Sequence, residues 1–330
     1  MSSSTRASNS TETAQTAKPA TLDAEALQDY SSNSLWRLTL RRTLRQRNAV
    51  IGLIIIGFLL LVAIFAPLLA PYDPTQSLIG IEDVKKRTAP CIHLLGCPED
   101  QPQHIMGTDG NVRDEFSRLI YGTRVSLMVG FTTVGFAIII GTILGSIAGY
   151  FGSAADNLVM RVMDVLLAFP ALLLAIAIVT VLGRGLQNAL LAIAIVTIPV
   201  YARVIRSSVL SVKETEYVEA SRALGASSFS ILWKRILPNA LAPLIVVGTL
   251  GIATAILDAA ALSFLGLGAQ PPTAEWGTML GSERNQVFSA PHLVFFPGIA
   301  IMITVLAFNL LGDGLRDALD PRLSQQGLSL

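Results

Sequence analysis

The sequence predicts an all-α, polytopic membrane protein with six transmembrane helices, and three observations lead to this fold class. The chain of 330 residues is 52% hydrophobic and only 14% charged, whereas a soluble domain carries about 25% charged residues. Its mean hydropathy is +0.58. Six runs without Asp, Glu, Lys or Arg are each long enough to cross a hydrocarbon core of about 30 Å as a helix.

Each of the six uncharged runs accounts for one predicted span. They cover residues 48–72, 125–155, 165–183, 185–202, 236–257 and 285–312. The second run is too short for two spans joined by a turn, so it counts as one helix. The first run is longer than the roughly 7–15 apolar residues of a signal peptide, which favours an uncleaved anchor over a cleaved leader.

Basic residues near the first span predict the orientation of the chain. Five arginines precede this span: Arg37, Arg41, Arg42, Arg45 and Arg47. Because Lys and Arg are enriched on the cytoplasmic side, we expect a cytoplasmic N-terminus, and six spans return the C-terminus to the same side. The chain then divides into a disordered, Ser- and Thr-rich cytoplasmic tail (1–34), a transmembrane domain (35–322) and a short cytoplasmic tail (323–330).

Three connections between the spans are long, at residues 71–124, 207–238 and 269–290, and the first of them is expected outside the cytoplasm. It contains Cys91 and Cys97 in "CIHLLGC". An oxidising compartment would allow a disulfide between them, and two unpaired thiols are the alternative. A metal site with His93 and His104 would need four ligands at set spacing, which the sequence does not offer.

The second long connection, residues 207–238, is expected on the cytoplasmic side and has the pattern of two helices joined by a tight turn. Tyr217, Ala220 and Leu224 have the spacing of one helix face. Gly225 follows at the position where a left-handed residue commonly ends a helix. The connection is therefore predicted to begin with an amphipathic helix that stops at Gly225.

A second amphipathic helix is predicted after this glycine. Ser227 or Ser228 can cap its N-terminus. The apolar residues that again share a helix face are Phe229, Leu232, Trp233 and Ile236. Pro238 is expected to end this helix before the fifth span.

Such a helical hairpin has two interpretations when only its periodicity is considered. It could simply rest on lipid headgroups with its apolar faces in the interface, and Glu219 would then be an ion-pair partner for Arg222 one turn later. Alternatively, its exposed side could bind another protein. The periodicity alone leaves both interpretations open.

The residues of the hairpin favour the second interpretation, because "EASRALGASSFSILWKRILPNALAPL" resembles the EAA loop of ABC importer permeases. In that pattern Glu-Ala-Ala is followed after three residues by Gly, and after nine more by Ile-x-Leu-Pro. The matching positions are Glu219, Ala220, Gly225, Leu237 and Pro238, while Ser221 replaces the second Ala and Arg235 stands at the Ile position, one residue before Ile236.

Four other segments resemble the C-type permease subunits of dipeptide, oligopeptide and nickel importers. They are "GTDGNVRDEFSRLIYGTRVSLMVG", "MRVMDVLLAFPALLLAI", "LSFLGLGAQPPTAEWGTML" and "NLLGDGLRDALDPR". Val112 departs from the family pattern, which commonly has Gly before the Arg-Asp pair, and the segment 74–104 is longer than usual. The resemblance covers about residues 35–322.

This resemblance implies a permease in the bacterial inner membrane that forms half of an ATP-driven import pathway for peptides or a similar small polar solute. It also implies the partners: a second permease, two cytoplasmic ATPases that dock on the EAA loop, and an extracytoplasmic solute-binding protein. ATP and Mg²⁺ would be bound by the ATPases. Glu219, Ala220, Ser221, Gly225, Leu237 and Pro238 would form the contact with them.

The chain has no motif for handling ATP or for hydrolysis itself. No lysine follows a glycine, so a phosphate-binding GxxxxGK[ST] loop is absent, and neither HExxH nor GxSxG occurs. We therefore expect a protein that is not an enzyme and binds no cofactor. The net charge of +1 also argues against nucleic acid as a partner.

Asp258 is a lone acid directly after the fifth uncharged run, within an apolar stretch where an ionisable residue marks a functional site by default. It is a candidate for the solute pathway or for a structural hydrogen bond. A proton-coupling role would instead indicate a secondary transporter, which should show inverted repeats with broken helices. A scaffold that recruits a cytoplasmic protein without transport is the third hypothesis.

Overall fold

Helices form nearly all the regular structure of residues 43–319, the part of the chain described by a computed structural model. In chain order they are α1 (Arg47–Ile64), α2 (Ala66–Leu69), α3 (Glu115–Phe151), α4 (Ser153–Leu167), α5 (Ala171–Leu182), α6 (Leu186–Lys213), α7 (Glu216–Ala223), α8 (Ser228–Ile231), α9 (Leu237–Ala240), α10 (Ala242–Phe264), α11 (Trp276–Glu283) and α12 (His292–Leu319). Short 3₁₀ turns occur at His93–Leu95 and Arg284–Gln286, and a π-helix occurs at Leu232–Ile236. The tails predicted at 1–34 and 323–330 lie outside the described residues. The all-α fold class is confirmed.

Five of these helices, α1, α3, α6, α10 and α12, are long and apolar enough to cross a membrane. The predicted span 165–183 differs from them, because it contains the end of α4 and all of α5, and these two helices meet at an angle of 91°. Pro170 stands at the junction as the residue before α5. Proline lacks an amide N–H and disfavours the helical conformation of the residue before it, so a straight helix cannot continue there. The count of six holds when the bent pair is counted as one span.

The pair of helices α3 and α6 forms the centre of the fold. Small residues let them approach closely: a Cβ atom on Gly145 would overlap the carbonyl oxygen of Ala202 and the side chain of Ile205. Since lipid supplies no hydrophobic drive between helices, close backbone packing of this kind is what stabilises a membrane bundle. The apolar core around this pair also includes Val218 and Ile231, which belong to the segment after α6.

A second layer consists of α1, α12 and α10. Ile56, Ala253 and Phe308, one from each of these helices, lie in one buried cluster. The ring of Phe308 meets that of Phe131 on α3 edge to face, at a centroid distance of 5.8 Å, a geometry that aromatic pairs favour. The second layer therefore packs on the central pair through α3 and α10.

At one end of the bundle, residues 71–114 and 265–291 form a structure that we name the cap. Its two parts are joined across the sequence by Glu283, which binds the Arg87 Nε through Oε2 at 2.8 Å and the Gly110 amide through Oε1 at 3.0 Å. The buried Trp276 donates its indole N–H to the Leu119 carbonyl at 3.1 Å. These contacts attach the cap to the first turns of α3.

At the opposite end, ion pairs attach the bent helix α4 to α6. The Arg206 Nη2 lies 2.6 Å from Asp156 Oδ2, and the Arg203 Nη2 lies 2.6 Å from Asp164 Oδ1. Lys213, the last residue of α6, donates to the Tyr150 carbonyl at 2.9 Å. These contacts fix the end of α6, from which the next segment leaves the bundle.

Candidate functional site

The segment between α6 and α10, residues 214–241, folds as a helical hairpin and is called the hairpin below. Its first arm is α7, and its second arm is a continuous helix made of α8, the π-helical turn and α9. α6 extends to Lys213, so the hairpin starts later than residue 207, where the predicted connection begins. The hairpin therefore grows directly from the end of a helix in the central pair.

The turn of the hairpin is a Schellman motif centred on Gly225. The Gly225 amide donates to the Arg222 carbonyl at 3.0 Å, and the Ala226 amide donates to the Ser221 carbonyl at 3.2 Å. Gly225 has φ of +79°, a conformation in which residues with a Cβ atom are strained. The hydroxyl of Ser227 then caps the second arm by accepting from the Ser230 amide at 3.4 Å. The turn is thus encoded by local sequence alone.

One side of each arm is buried against the bundle. Val218 on the first arm is fully buried, and Ile231, Leu232, Ile236 and Leu237 on the second arm are nearly so. All of them belong to the same core as α6. At about 25 cal/mol per Å² of apolar surface, this burial holds the hairpin on the bundle as a fixed element.

A polar contact joins the two arms near their base. The Asn239 amide group donates to the Tyr217 hydroxyl at 3.1 Å and to the Arg235 carbonyl at 2.8 Å. The Tyr217 hydroxyl donates to the same carbonyl at 3.3 Å. Asn239 was not predicted from the sequence. The sequence did contain a signal for it: a side chain that can donate a hydrogen bond to a backbone carbonyl stands four residues after Arg235, one helical turn away.

The other side of the hairpin is uncovered and carries both apolar and charged residues. Leu224 is 88% exposed, Phe229 is 71% exposed, and the Phe229 ring lies 5.9 Å from that of Trp233. Glu219 is exposed on the same arm as Leu224. Among the described residues no ion pair joins Glu219 to Arg222. The interpretation in which Glu219 serves only as an ion-pair partner for Arg222 is therefore not supported by this structure.

The six residues of the EAA resemblance are divided between these two sides. Glu219, Ala220, Gly225 and Pro238 are exposed, Ser221 is half-buried and donates its hydroxyl to the Tyr217 carbonyl at 2.8 Å, and Leu237 is buried. The exposed members lie where another protein could reach them. Leu237 instead helps to pack the hairpin against the bundle.

Pro238 does not end the second arm, contrary to the expectation from the sequence. The helix continues to Ala240 and breaks at Leu241, before Pro243 of α10. Pro238 lies in the first turn of α9, directly after the π-helix Leu232–Ile236. Because proline lacks the N–H that an α-helical bond would need, a wider π turn before it accommodates the proline without ending the helix.

In the cap, the structure joins Cys91 and Cys97 by a disulfide with Cα atoms 5.4 Å apart. The two nearby histidines are engaged separately. His93 Nε2 lies 2.8 Å from the Gln101 carbonyl, while the buried His104 lies between the carboxylates of Asp114 and Glu82. Within residues 43–319 no group of His, Cys, Asp and Glu has the arrangement of a metal site.

His104 is held by hydrogen bonds from both ring nitrogens. Nδ1 lies 2.8 Å from Asp114 Oδ1, and Nε2 lies 3.1 Å from Glu82 Oε2. Burial disfavours the charged ring and is the largest single effect, but the bonds and charges of Asp114 and then Glu82 oppose it and raise the pKa of His104 above its usual value. Asp114 also caps α3 by accepting from the Ser117 amide at 2.7 Å, so this ring couples the cap to the start of α3.

Val112 occupies a strained position in the cap. Its φ is +52°, a conformation that glycine adopts without strain. The strain of a β-branched residue in this conformation costs about 1–2 kcal/mol. Its side chain is only 2% exposed, and burying a valine contributes about 1.5–3 kcal/mol. The burial offsets the strain, so valine is tolerated at this position.

Comparison with known proteins places this arrangement in a family. The family model described as the binding-protein-dependent transport system inner membrane component matches residues 141–325, which include the whole hairpin. The chain belongs to this family of ABC transporter permeases. A second model, the N-terminal transmembrane domain of oligopeptide transport permease C, matches residues 34–90. The permease is therefore of the C type that the sequence resembles.

Individual relatives agree with the family models over most of their length. The permease is 50% identical over 294 residues to the dipeptide transport system permease protein DppC of Alkalihalophilus pseudofirmus, covering 89% of this chain and 92% of that protein. It is 43% identical over 297 residues to the glutathione transport system permease protein GsiD of Pectobacterium atrosepticum, covering 90% and 94%. The predicted family is confirmed.

The fold also has a solved counterpart. A chain of the inward-facing MetNI methionine ABC transporter aligns with a TM-score of 0.51 and 22% sequence identity, covering 62% of this permease and 97% of that chain. The family model and the relatives show that this permease is a multi-pass inner-membrane subunit of an ABC importer. It is not an enzyme, since ATP hydrolysis in this family belongs to separate subunits.

Proposed function

We propose that this permease forms half of an import pathway for short peptides and is driven through its hairpin by a cytoplasmic ATPase. The observation that carries the proposal is the two-sided hairpin. One side is packed into the core of the bundle, while the other side presents Leu224, Phe229 and Glu219 uncovered. An element of this kind can transmit a movement of a bound protein to α6, because its base is packed rigidly against the bundle.

Peptides are the proposed solute because of the names of the relatives. One is a permease for dipeptides and another is a permease for glutathione, itself a small peptide. Peptides of different side chains share an ammonium group, amide bonds and a carboxylate. A pathway that accepts both kinds of solute would recognise these common groups.

The proposal includes four partners besides the lipid bilayer. A second homologous permease would complete the pathway, two ABC ATPases would bind ATP and Mg²⁺ and dock on the hairpin, and an extracytoplasmic binding protein would deliver the solute at the cap. The contact with the ATPases would use Glu219, Ala220, Gly225 and Pro238, with Ser221 and Leu237 supporting the arms. The permease itself would bind no cofactor, because it lacks a phosphate-binding loop.

The proposed orientation places the hairpin in the cytoplasm and the cap outside. The arginines before α1 favour a cytoplasmic N-terminus. The disulfide between Cys91 and Cys97 supports the same orientation, since such bonds persist in oxidising compartments. Both termini would then lie in the cytoplasm.

Reconstitution of the complete transporter in lipid vesicles tests the proposed function. We expect uptake of labelled alanyl-alanine that requires ATP on the hairpin side and the binding protein on the cap side. Uptake driven by a proton or sodium gradient without ATP would indicate a secondary transporter instead. Binding of the ATPase without uptake of any peptide would indicate a scaffold.

A further inference from the structure

Asp258 lies at the edge of the face of α10 that the rest of the described chain leaves uncovered. The rest of α10 is buried in the bundle through Ala253, Ala255, Ile256, Ala259, Ala260 and Leu262. Two of these, Ala255 and Leu262, lie one turn before and one turn after Asp258. Thr254, one turn before Asp258, is exposed, and Leu265, two turns after it, is 55% exposed. These three residues lie on one side of the helix by helical spacing, so this side carries a hydroxyl and a carboxylate beside the apolar Leu257, which is 45% exposed.

The carboxylate of Asp258 has no partner in residues 43–319. No hydrogen bond or ion pair reaches it, although its side chain is half-buried. The nearby Thr254 hydroxyl is directed to its own helix, where it donates to the Gly251 carbonyl at 2.9 Å. A carboxylate at membrane depth without a partner is unfavourable against lipid, and acids of this kind face protein or a water-filled cavity.

The depth of Asp258 places it towards the cap. It precedes the last residue of α10, Phe264, by six positions, which corresponds to about 9 Å along the helix. The Gly185 amide donates to the Leu267 carbonyl at 3.1 Å, so the start of α6 lies beside the end of α10. A solute entering from the cap would meet Asp258 in the first part of its path.

We propose that Asp258 faces the solute pathway and binds the ammonium group of the transported peptide. This inference rests on the proposed function, because it assigns the peptide as the ligand. The ammonium is the one cation that free peptides share whatever their side chains are, and a carboxylate forms charge-assisted hydrogen bonds with it. A single carboxylate in the pathway could therefore bind peptides of different sequence.

A concave site between α3 and α6 does not offer this chemistry. An open pocket of about 220 Å³ lies between α3 and α6, with Thr132, Gln187 and Ala194 among its lining residues. No charged residue lines it. An ammonium group would have to lose its water there without gaining an opposite charge, so the carboxylate on α10 is the better ligand.

The inference is tested in the reconstituted transporter with three variants. We expect Asp258→Asn to lower the rate of alanyl-alanine uptake about tenfold or more, since loss of a charge-assisted contact of about 1.4 kcal/mol has that effect. Asp258→Glu should retain most of the uptake. Asp313→Asn is the matched control, because Asp313 is exposed at the far end of α12 and should leave uptake unchanged. ATPase stimulation by the binding protein should persist in all three.

A labelling experiment identifies the group that is recognised. Dicyclohexylcarbodiimide should modify Asp258, as read by mass spectrometry, and alanyl-alanine should protect it while N-acetyl-alanyl-alanine should not. Equal protection by both dipeptides would overturn recognition of the ammonium. Wild-type uptake by Asp258→Asn would remove Asp258 from the pathway, and failure of this variant to assemble would show a structural contact with the second permease. If the wild-type complex transports no dipeptide at all, the proposed function fails rather than this inference.

Discussion

At the scale of single residues, Gly225 is the position on which the hairpin turn depends. With φ of +79°, a β-branched side chain there is strained by about 1–3 kcal/mol. We predict that Gly225→Val distorts the Schellman turn and lowers both co-purification of the ATPase and peptide uptake. Gly225→Asn should restore much of both, because asparagine adopts left-handed conformations more readily than other residues with a Cβ atom.

A second glycine provides the control for this prediction. Gly80 in the cap has φ of +77° and, like Gly225, has no atoms within 4 Å of where a Cβ would lie. Gly80→Val therefore introduces a similar backbone strain away from the hairpin, and ATPase co-purification should remain at the wild-type level. If Gly225→Val also retains full ATPase binding and uptake, the hairpin only lies at the membrane interface and does not bind the ATPase.

Glu219 provides a test of the charge on the exposed side. We predict that Glu219→Ala weakens ATPase association, because a hydrogen bond to a charged group contributes about 1.5–3 kcal/mol once it is buried in the complex, and each 1.4 kcal/mol corresponds to about tenfold. Glu216→Ala, one turn earlier on the same arm and also exposed, should have a smaller effect. The ATPase that co-purifies with each variant measures the difference, and equal losses would remove Glu219 from the contact.

At the scale of elements, the turn of the hairpin could be predicted from the sequence because its signals are local. Gly225 and Ser227 act within a few residues of themselves. The helix of the first arm was also predicted, but the predicted apolar face of Tyr217, Ala220 and Leu224 is exposed, and the buried residue is Val218. The single apolar face predicted for the second arm was wrong. Leu232 and Ile236 are packed in the core of the bundle while Phe229 is exposed, so burial in this arm follows the contact with the bundle and not helical spacing alone.

The cap provides a prediction of pH dependence through His104. Since folding raises the pKa of this imidazole, its interactions with Asp114 and Glu82 stabilise the cap fully below the ordinary value of about 6.5. This stabilisation is lost as the pH rises through the raised pKa. We predict that hydrogen exchange of the cap amides becomes faster, relative to the intrinsic rate, when the medium is made alkaline.

His104→Gln is the control for this measurement, because glutamine can keep a hydrogen bond to Asp114 but does not titrate. The comparison at each pH also removes the intrinsic pH dependence of exchange. The protection of the wild-type cap relative to the variant should be largest in mildly acidic medium. A ratio that stays constant across the pH range would show that His104 remains in one protonation state.

At the scale of the whole molecule, the cap could not be predicted from the sequence. Its contacts join residues far apart in the chain, such as Arg87 to Glu283 and Arg118 to the Pro272 carbonyl. Nothing in the local pattern of either partner indicates the other. The uncharged runs, by contrast, predicted the spans from composition alone, and only the bend before Pro170 altered one of them.

This bend makes topology a decisive measurement for the molecule. We predict that reporters fused after residue 34 and at residue 330 both lie in the cytoplasm, since the pair α4 and α5 then counts as one crossing. Five crossings would place the two reporters on opposite sides. A reporter inserted after Gly225 should agree with the two termini, and an external position would exclude ATPase docking on the hairpin.

The length of α3 has a consequence for how a partner approaches the cap. This helix has 37 residues, and its first ten include Glu115, Arg118 and Arg124 before the uncharged run begins. Ten residues extend about 15 Å, which exceeds the screening length of about 8 Å at physiological ionic strength. The electric field of the lipid headgroups is therefore largely screened at the outer surface of the cap. A soluble protein that arrives there is steered by the charges of the permease itself, so encounters should depend on cap residues and little on the anionic lipid content of the membrane.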